Sequence, residues 1–355
     1  MVTLLECIER IPSILEGILE NREQNLRPFF EYMGDRINDI NEIIFIGSGT
    51  SNTSAITSSI FAGKVSGIGT RVCYPNDFVY NTRYYNPKAL YIFTSQTGTS
   101  IVTREAQKLV QEKGFLSVSI TESEETPLAR EASSHIIMGC GYEEYPMRTI
   151  GYTASVFTHM LLALEIGLKR GAISLPEYKE HLAHAARVPG SHGEITAKTQ
   201  QWLVRSKRQM LRSDCIIFTG AGALYGVSLE GAVKVWEIPQ IASMGYELEE
   251  GLHGPNYGYN NRHCVIVLNE GGREQNKALA LAGYMKDVWS NGLMAGTTVL
   301  DDNDLKLELH GGDFSCLELS AVPQVIAYKL AFDGGRDLLA PHDNSRMEKY
   351  FITHK

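Results

Sequence analysis

The residues best equipped for chemistry lie between positions 229 and 255. Glu230, Lys234 and Glu237 stand at i, i+4 and i+7, so a helix here would carry two carboxylates and an amine on one face. His253 follows in a Gly/Pro turn. Enzymes use these side-chain types to move protons. The spacing predicts an acid/base site, although a solvated, salt-bridged helix face followed by a loop histidine explains the pattern equally well.

A hydroxyl-rich segment forms the second chemical feature. An apolar strand is predicted from Ala89 to Thr94, and Ser95-Gln96-Thr97-Gly98-Thr99-Ser100 follows it, ahead of a helical run from Ile101 to Lys113. Short hydroxyl donors beside the free N–H groups and positive end of a helix suit a phosphate monoester. An ordinary N-cap would explain one of these hydroxyls but not four.

A second hydroxyl-rich turn, Gly47 to Asn52, is expected at the same end of the sheet, where ligands of open parallel sheets bind. The corresponding loop in the second half of the chain, Asn269 to Glu274, carries acids and no hydroxyls, so only the first half is predicted to hold an anion. The predicted substrate-binding residues are Gly49, Thr50, Ser51, Ser95, Gln96, Thr97, Thr99, Ser100 and Thr149.

An internal repeat predicts the fold. Segments 42–49 and 214–222 are near copies, each a buried strand that ends in Gly-x-Gly and opens into a helix. The alternation of strands and helices predicts an α/β protein with two tandem doubly wound parallel sheets, flavodoxin-like, with flanking helices. Neither Gly-x-Gly continues to a third glycine at the fingerprint position, so a dinucleotide site is disfavoured.

The domain boundaries are predicted from composition and periodicity. We expect an N-terminal helical segment at 1–40, a first domain at 41–170, a helical linker at 171–205, a second domain at 206–340 and a C-terminal tail at 341–355. The linker contains His181 and His184, but a solvated helix face is preferred to a metal pair, and no metal site is predicted.

Composition limits the partners and the compartment. The net charge of -8 and the absence of basic clusters argue against nucleic acid and anionic membranes. Six scattered cysteines without a CxxC pair indicate a reducing compartment. The N-terminus lacks the order of a signal peptide, and the apolar stretch from Phe157 to Leu168 is too short to span a bilayer, so a cytoplasmic protein is expected.

Taken together, the motifs resemble the tandem sugar isomerase (SIS) domain family. The similarity runs from about Ile43 to Lys355 and is greatest to the isomerase half of glucosamine-6-phosphate synthase and to the fructosamine- and glucosamine-type 6-phosphate deglycases. It implies that Gly49-Thr50-Ser51 and the turn from Ser95 to Ser100 bind the sugar phosphate. It also implies catalytic roles for Glu237, which follows Lys234 in an EGAxKxxE pattern, for the HGP histidine His253, and for Lys349 in a tail that closes over the sugar.

The resemblance implies a homodimer in which this histidine reaches into the partner's site. Because no glutaminase-sized domain precedes the first repeat, we expect a phosphosugar-amine deglycase rather than a glutamine-hydrolysing synthase. No cofactor is expected, since an imine or carbonyl already acidifies the neighbouring carbon-bound proton. A glucosamine-6-phosphate deaminase or aldose-ketose isomerase and a non-catalytic phosphosugar sensor remain alternatives, and the released amine is left open.

Overall fold

A computed structural model describes residues 2–339 and 345–355. The strands are β1 Glu42–Ile46, β2 Gly69–Cys73, β3 Ala89–Thr94, β4 Ser117–Thr121, β5 His135–Ile137, β6 Cys215–Gly220, β7 Ser243–Glu247, β8 His263–Asn269, β9 Gly292–Gly296 and β10 Leu305–Lys306. The helices are α1 Leu4–Glu20, α2 Arg22–Met33, α3 Thr50–Ser66, α4 Pro75–Tyr80, α5 Ile101–Glu112, α6 Pro127–Arg130, α7 Ile150–Arg170, α8 Leu175–Ala185, α9 Val188–Leu211, α10 Ala223–Glu237, α11 Gln275–Asp287 and α12 Ser315–Asp333. Short 3-10 helices lie at Gly34–Asn38, Glu250–Leu252, Pro255–Tyr257, Gly272–Glu274 and Gly312–Phe314.

The strands form two five-stranded parallel sheets with the same topology. The order is β2-β1-β3-β4-β5 in the first sheet and, read in the matching direction, β7-β6-β8-β9-β10 in the second. The repeat extends to the backbone: Gly49 before α3 has φ 56 and ψ -128, and Gly222 before α10 has φ 60 and ψ -128. Glycine reaches such positive φ values without steric cost. The predicted fold class, two tandem parallel-sheet subdomains, is confirmed.

Exposure explains why two edge strands could not be predicted from the sequence. β3 is buried along all its residues, as expected for the centre of a parallel sheet covered on both faces. β2 and β7 are edge strands with mostly half-exposed residues. Their sequences, GTRVC and SMGYE, lack a continuous apolar run, and the hydrophobic pattern therefore did not predict them.

Helix α7 lies in the hydrophobic core beside the first sheet, where most of its residues are buried and it packs against α3. By length and composition alone α7 could cross a membrane, but 94% of its most apolar window is buried inside the protein. The apolar stretch from Phe157 to Leu168 is therefore part of a core helix.

The chain divides into two compact units. The first-sheet unit comprises residues 14–182 with 345–355, and the second-sheet unit comprises residues 2–13 with 183–339. The segment predicted as a linker at 171–205 is helical but divides between the units within α8, and the segment at 1–40 divides within α1. Residues 340–344, at the predicted start of the tail, lie outside the described residues.

Candidate functional site

Helix α10 brings the predicted acid/base residues of the second-sheet unit together. Lys234 is only 1% exposed, and its Nζ lies 3.3 Å from Glu230 Oε1 and 2.7 Å from Glu237 Oε2. Burial acts to lower the pKa of Lys234, but the two carboxylates outweigh it and the net pKa is raised. Lys234 is thus a buried cation that forms ion pairs with both Glu230 and Glu237.

The two acids differ in their access to solvent. The Glu230 side chain is 2% exposed, whereas that of Glu237, the last residue of α10, is 41% exposed. The preceding side chain, Trp236, is also exposed, and its indole N–H donates to the Ser243 carbonyl at 2.7 Å. Of the two carboxylates, Glu237 is the one that a substrate can reach.

His253 lies in the turn between two 3-10 helices of the same unit. Its side chain is 70% exposed, with Nε2 3.1 Å from Glu249 Oε1. Lys277 also pairs with Glu249, at 2.7 Å, and these neighbours, Lys277 first, lower the pKa of that carboxyl. Within the described residues His253 makes no hydrogen bond to Glu237. The structure therefore does not join the two predicted catalytic residues within one chain.

The predicted phosphate turn, Ser95 to Ser100, connects β3 to α5 in the first-sheet unit. Ser100 is at the N-cap of α5 but does not cap it; its hydroxyl hydrogen-bonds with Thr103 Oγ1 at 2.9 Å. Thr97 and Thr99 share a hydroxyl–hydroxyl hydrogen bond of 2.8 Å. The Ser95 hydroxyl has no hydrogen-bond partner in the described part of the chain, which leaves it open to a ligand.

Glycine fixes the shape of this turn. Gly98 has φ +64, and a Cβ atom there would lie 2.6 Å from Thr126 Cβ. The Gly98 carbonyl also accepts from the Leu128 N–H at 3.1 Å. Any other residue would therefore displace the backbone of the turn.

The second hydroxyl-rich turn lies beside the first, as predicted. Thr50 and Ser51 begin α3, and a Cβ atom on Gly47 would lie 3.0 Å from the Thr94 carbonyl, directly before the phosphate turn. The Ser51 hydroxyl makes no hydrogen bond to any described residue. The structure thus brings hydroxyl groups and the starts of α3 and α5 together at the carboxyl ends of β1 and β3.

Two predicted residues face inward instead. Thr149 is fully buried, and its N–H and hydroxyl both donate to Glu143 Oε1, at 2.7 and 3.1 Å. The Gln96 amide donates to Glu143 Oε2 at 3.4 Å. The sequence did not single out Glu143, because a carboxylate six residues before Thr149 does not match the spacing of a capping box.

The chain's last residues pair with the phosphate turn. The Ile101 N–H donates to the Thr353 carbonyl at 3.1 Å, and the Lys355 N–H donates to the Thr99 carbonyl at 2.9 Å. Ser100 and His354 form an antiparallel bridge. Lys349 precedes this pairing in an exposed turn. No sequence pattern indicated the contact.

Comparison with known proteins shows which proteins these features resemble. Residues 36–165, from the segment before β1 into α7, match the model of the SIS domain. This part of the chain is similar to SIS domains. The match contains both hydroxyl-rich turns and Glu143.

Relatives extend the similarity to the second unit. Glutamine--fructose-6-phosphate aminotransferase [isomerizing] of Gloeobacter violaceus is 26% identical over 96% of this chain, which spans 57% of that protein's length. A Clostridium difficile 630 structure assigned to the phosphosugar isomerases covers 100% of both chains, with 24% identity and a TM-score of 0.86. The C-terminal domain of glucosamine-fructose-6-phosphate aminotransferase from Francisella tularensis covers 95% of this chain and 97% of its own, with 19% identity and a TM-score of 0.86. The resemblance to tandem SIS proteins is confirmed.

Proposed function

We propose that the protein is a phosphosugar-amine deglycase, a hydrolase that splits a 6-phosphorylated sugar–amino acid conjugate of the fructoselysine or glucoselysine 6-phosphate type. The products would be a hexose 6-phosphate and the free amino acid. Similarity to SIS phosphosugar enzymes supports the phosphosugar class of substrate.

The observation that carries the proposal is the arrangement on α10. A general base must be both ionised and accessible. Glu237 is 41% exposed and is held at 2.7 Å by a cation that is itself 1% exposed. Lys234 therefore fixes the position of the accessible carboxylate, and its second ion pair, with the buried Glu230, holds the amine in place.

Phosphate binding is assigned to the first-sheet unit. The open hydroxyls of Ser51 and Ser95, the hydroxyls of Thr50, Thr97, Thr99 and Ser100, and the starts of α3 and α5 offer neutral donors to a dianion. Gly49 supplies the backbone conformation that starts α3. Gln96 and Thr149 support this surface from behind through Glu143.

The proposed reaction is a proton transfer followed by hydrolysis. Glu237 removes the proton from the carbon that bears nitrogen, next to the carbonyl carbon, and forms an enolamine. The proton returns to the former carbonyl carbon, which leaves an imine where nitrogen was bound. Water adds to the imine carbon, the C–N bond breaks, and the amine leaves with a proton. One water is consumed for each hexose 6-phosphate and amine released.

The remaining assignments complete the site. His253 would assist ring opening from a partner subunit in a homodimer, which its exposure and its lack of a hydrogen bond to Glu237 support. Lys349 would orient or cover the sugar, supported by the pairing of the tail with the phosphate turn. A cytoplasmic location is part of the proposal.

A substrate panel tests the function. Purified protein is incubated with fructoselysine 6-phosphate, glucoselysine 6-phosphate, glucosamine 6-phosphate and fructose 6-phosphate, and hexose 6-phosphate and amine are quantified. We expect the two products in equal amounts from at least one amino acid conjugate. Turnover of glucosamine 6-phosphate alone would instead make the protein a deaminase, and binding without turnover would make it a sensor. Either outcome overturns the proposal.

A further inference from the structure

We propose that Glu143 is a positioning residue that sets the geometry of the phosphate turn through Gln96. It would act without touching the substrate. The inference deepens the proposed function and rests on it for the identity of the ligand.

Glu143 is a buried carboxylate that is almost fully satisfied by hydrogen bonds. It is 1% exposed. Its Oε1 accepts from the Thr149 N–H at 2.7 Å, the Thr149 hydroxyl at 3.1 Å and the Ile150 N–H at 3.0 Å. Its Oε2 accepts from the Gly151 N–H at 3.0 Å and from the Gln96 amide at 3.4 Å. An ionised carboxylate can accept at both oxygens in this way.

In this arrangement the protein's own Glu143, rather than a ligand, occupies the N-terminal end of α7. The first N–H groups of a helix and its positive end attract anions. Here Glu143 occupies three of those N–H groups, from Thr149 to Gly151. The start of α7 is therefore closed to a ligand, and phosphate is directed to the starts of α3 and α5.

Gln96 is the link between Glu143 and the turn. Its carbonyl accepts from the Glu122 N–H at 2.9 Å, and its side chain lies so close to Gly151 that a Cβ atom there would overlap the amide oxygen. Two further charged groups face this region. Arg148 Nη1 donates to the Glu143 carbonyl at 2.6 Å, and burial raises the pKa of Glu122. Gln96 is thus clamped between Glu143, Gly151 and the strand end at Glu122.

Two substitutions disturb the clamp in different ways. In Glu143→Gln the new NH2 group would replace one carboxylate oxygen, so that it would face either the Thr149 and Ile150 N–H groups or the Gly151 N–H and the Gln96 amide, all of which are donors. Gly151→Ala leaves the carboxylate in place and pushes the Gln96 side chain away. If the clamp positions the turn, both variants should bind phosphosugar more weakly. Glu144→Gln, which neutralises the exposed neighbouring acid, is the matched control.

The test combines steady-state kinetics with a mutant cycle. We expect Glu143→Gln and Gly151→Ala to raise KM for the phosphorylated conjugate by about tenfold, the value of roughly one hydrogen bond, with a smaller change in kcat. Glu144→Gln should leave KM unchanged. The double variant Glu143→Gln/Gln96→Ala should be no worse than Gln96→Ala, because the two act as one unit. A lower Tm with unchanged KM, or fully additive effects in the cycle, would overturn the positioning role.

A second measurement separates this inference from the proposed function. Amide hydrogen exchange of residues 95–103 reports the order of the turn without any substrate. It should accelerate in Glu143→Gln and Gly151→Ala but not in Glu144→Gln. If the wild type releases no hexose 6-phosphate, the deglycase proposal fails, and exchange alone decides the role of Glu143. Unchanged exchange in both variants would contradict it.

Discussion

At the scale of single residues, burial separates side chains that the sequence presents as equivalent. Glu230 lies four residues before Lys234 and Glu237 three residues after it, and both pair with its amine, yet only Glu237 is exposed enough to meet a substrate. The spacing predicted that the three residues share a helix face, and the structure bears this out. Which acid is accessible could not be predicted, because it depends on where α10 ends and on what packs against it.

The phosphate turn gives a first prediction at this scale. The double substitution Ser95→Ala/Thr97→Ala removes two hydroxyl donors, one of them open in the structure. A hydrogen bond to a charged ligand contributes roughly 1.5 to 3 kcal/mol, so binding of a hexose 6-phosphate should weaken by about a hundredfold or more. Isothermal titration of both proteins measures this effect. An unchanged dissociation constant would remove the turn from the site.

A second prediction concerns acid stability. His159, in α7, is fully buried between Ser58 Oγ, 3.1 Å from Nδ1, and Thr94 Oγ1, 2.8 Å from Nε2. Burial lowers the pKa of His159 to about 3. Below pH 6.5 the unfolded chain binds a proton at this histidine that the folded chain does not bind. The free energy of unfolding therefore falls by about 1.4 kcal/mol for each unit by which the pH is lowered, until the pH reaches the pKa of the folded state.

Urea unfolding at several pH values between 6.5 and 4 tests this point. His159→Gln should have a shallower dependence of unfolding free energy on pH than the wild type, by about that slope, even if the variant is less stable at neutral pH. Parallel dependences would mean that this histidine is protonated in the folded state.

At the scale of elements, hydrophobic periodicity and composition predicted four of the strands and the turn that follows β3. The central strands β1, β3, β6 and β8 carry continuous apolar runs, and the turn after β3 was placed correctly between strand and helix. The interior strands β4 and β9, the edge strands and the long-range contacts were not predicted. The pairing of Thr353 with Ile101 joins residues far apart in sequence through backbone atoms, which leave no mark on side-chain pattern.

The tail supplies the prediction at this scale. Chain ends are usually loose unless they are docked, and this one pairs with the phosphate turn. Deleting residues 348–355 should leave the circular dichroism spectrum unchanged while activity falls steeply. Two narrower variants assign the cause: deleting residues 353–355 removes the pairing and keeps Lys349, whereas Lys349→Ala does the opposite. Normal turnover by the long deletion would exclude the tail from the site.

At the scale of the whole molecule, two sheets with the same strand order carry different sets of candidate functional side chains. The first-sheet unit has the hydroxyl turns, and the second-sheet unit has the Lys234 ion pairs and His253. The duplication was visible in the two Gly-x-Gly segments, and the shared strand order confirms it. Domain boundaries were harder to predict, because α1 and α8 continue without a break in helical pattern across the division between the units.

The proposed dimer can be tested by complementation. Glu237→Gln and His253→Ala chains should each be inactive alone. If His253 serves a partner's site, a mixture of the two after subunit exchange should recover part of the wild-type activity, because some hybrid sites contain both residues. Exchange is followed with differently tagged chains. Proven exchange without recovered activity would show that His253 acts within its own chain.

The central claim is that Glu237 moves the proton between C1 and C2. The most direct measurement is turnover of the phosphorylated conjugate in deuterated water, with mass analysis of the hexose 6-phosphate. The wild type should place solvent deuterium on the carbon that receives the proton. Glu237→Gln should lower kcat by about a hundredfold to ten-thousandfold, with little change in affinity or Tm, because Lys234 keeps its pair with Glu230. A Glu237→Gln protein that turns over at the wild-type rate with full deuterium incorporation would contradict the claim.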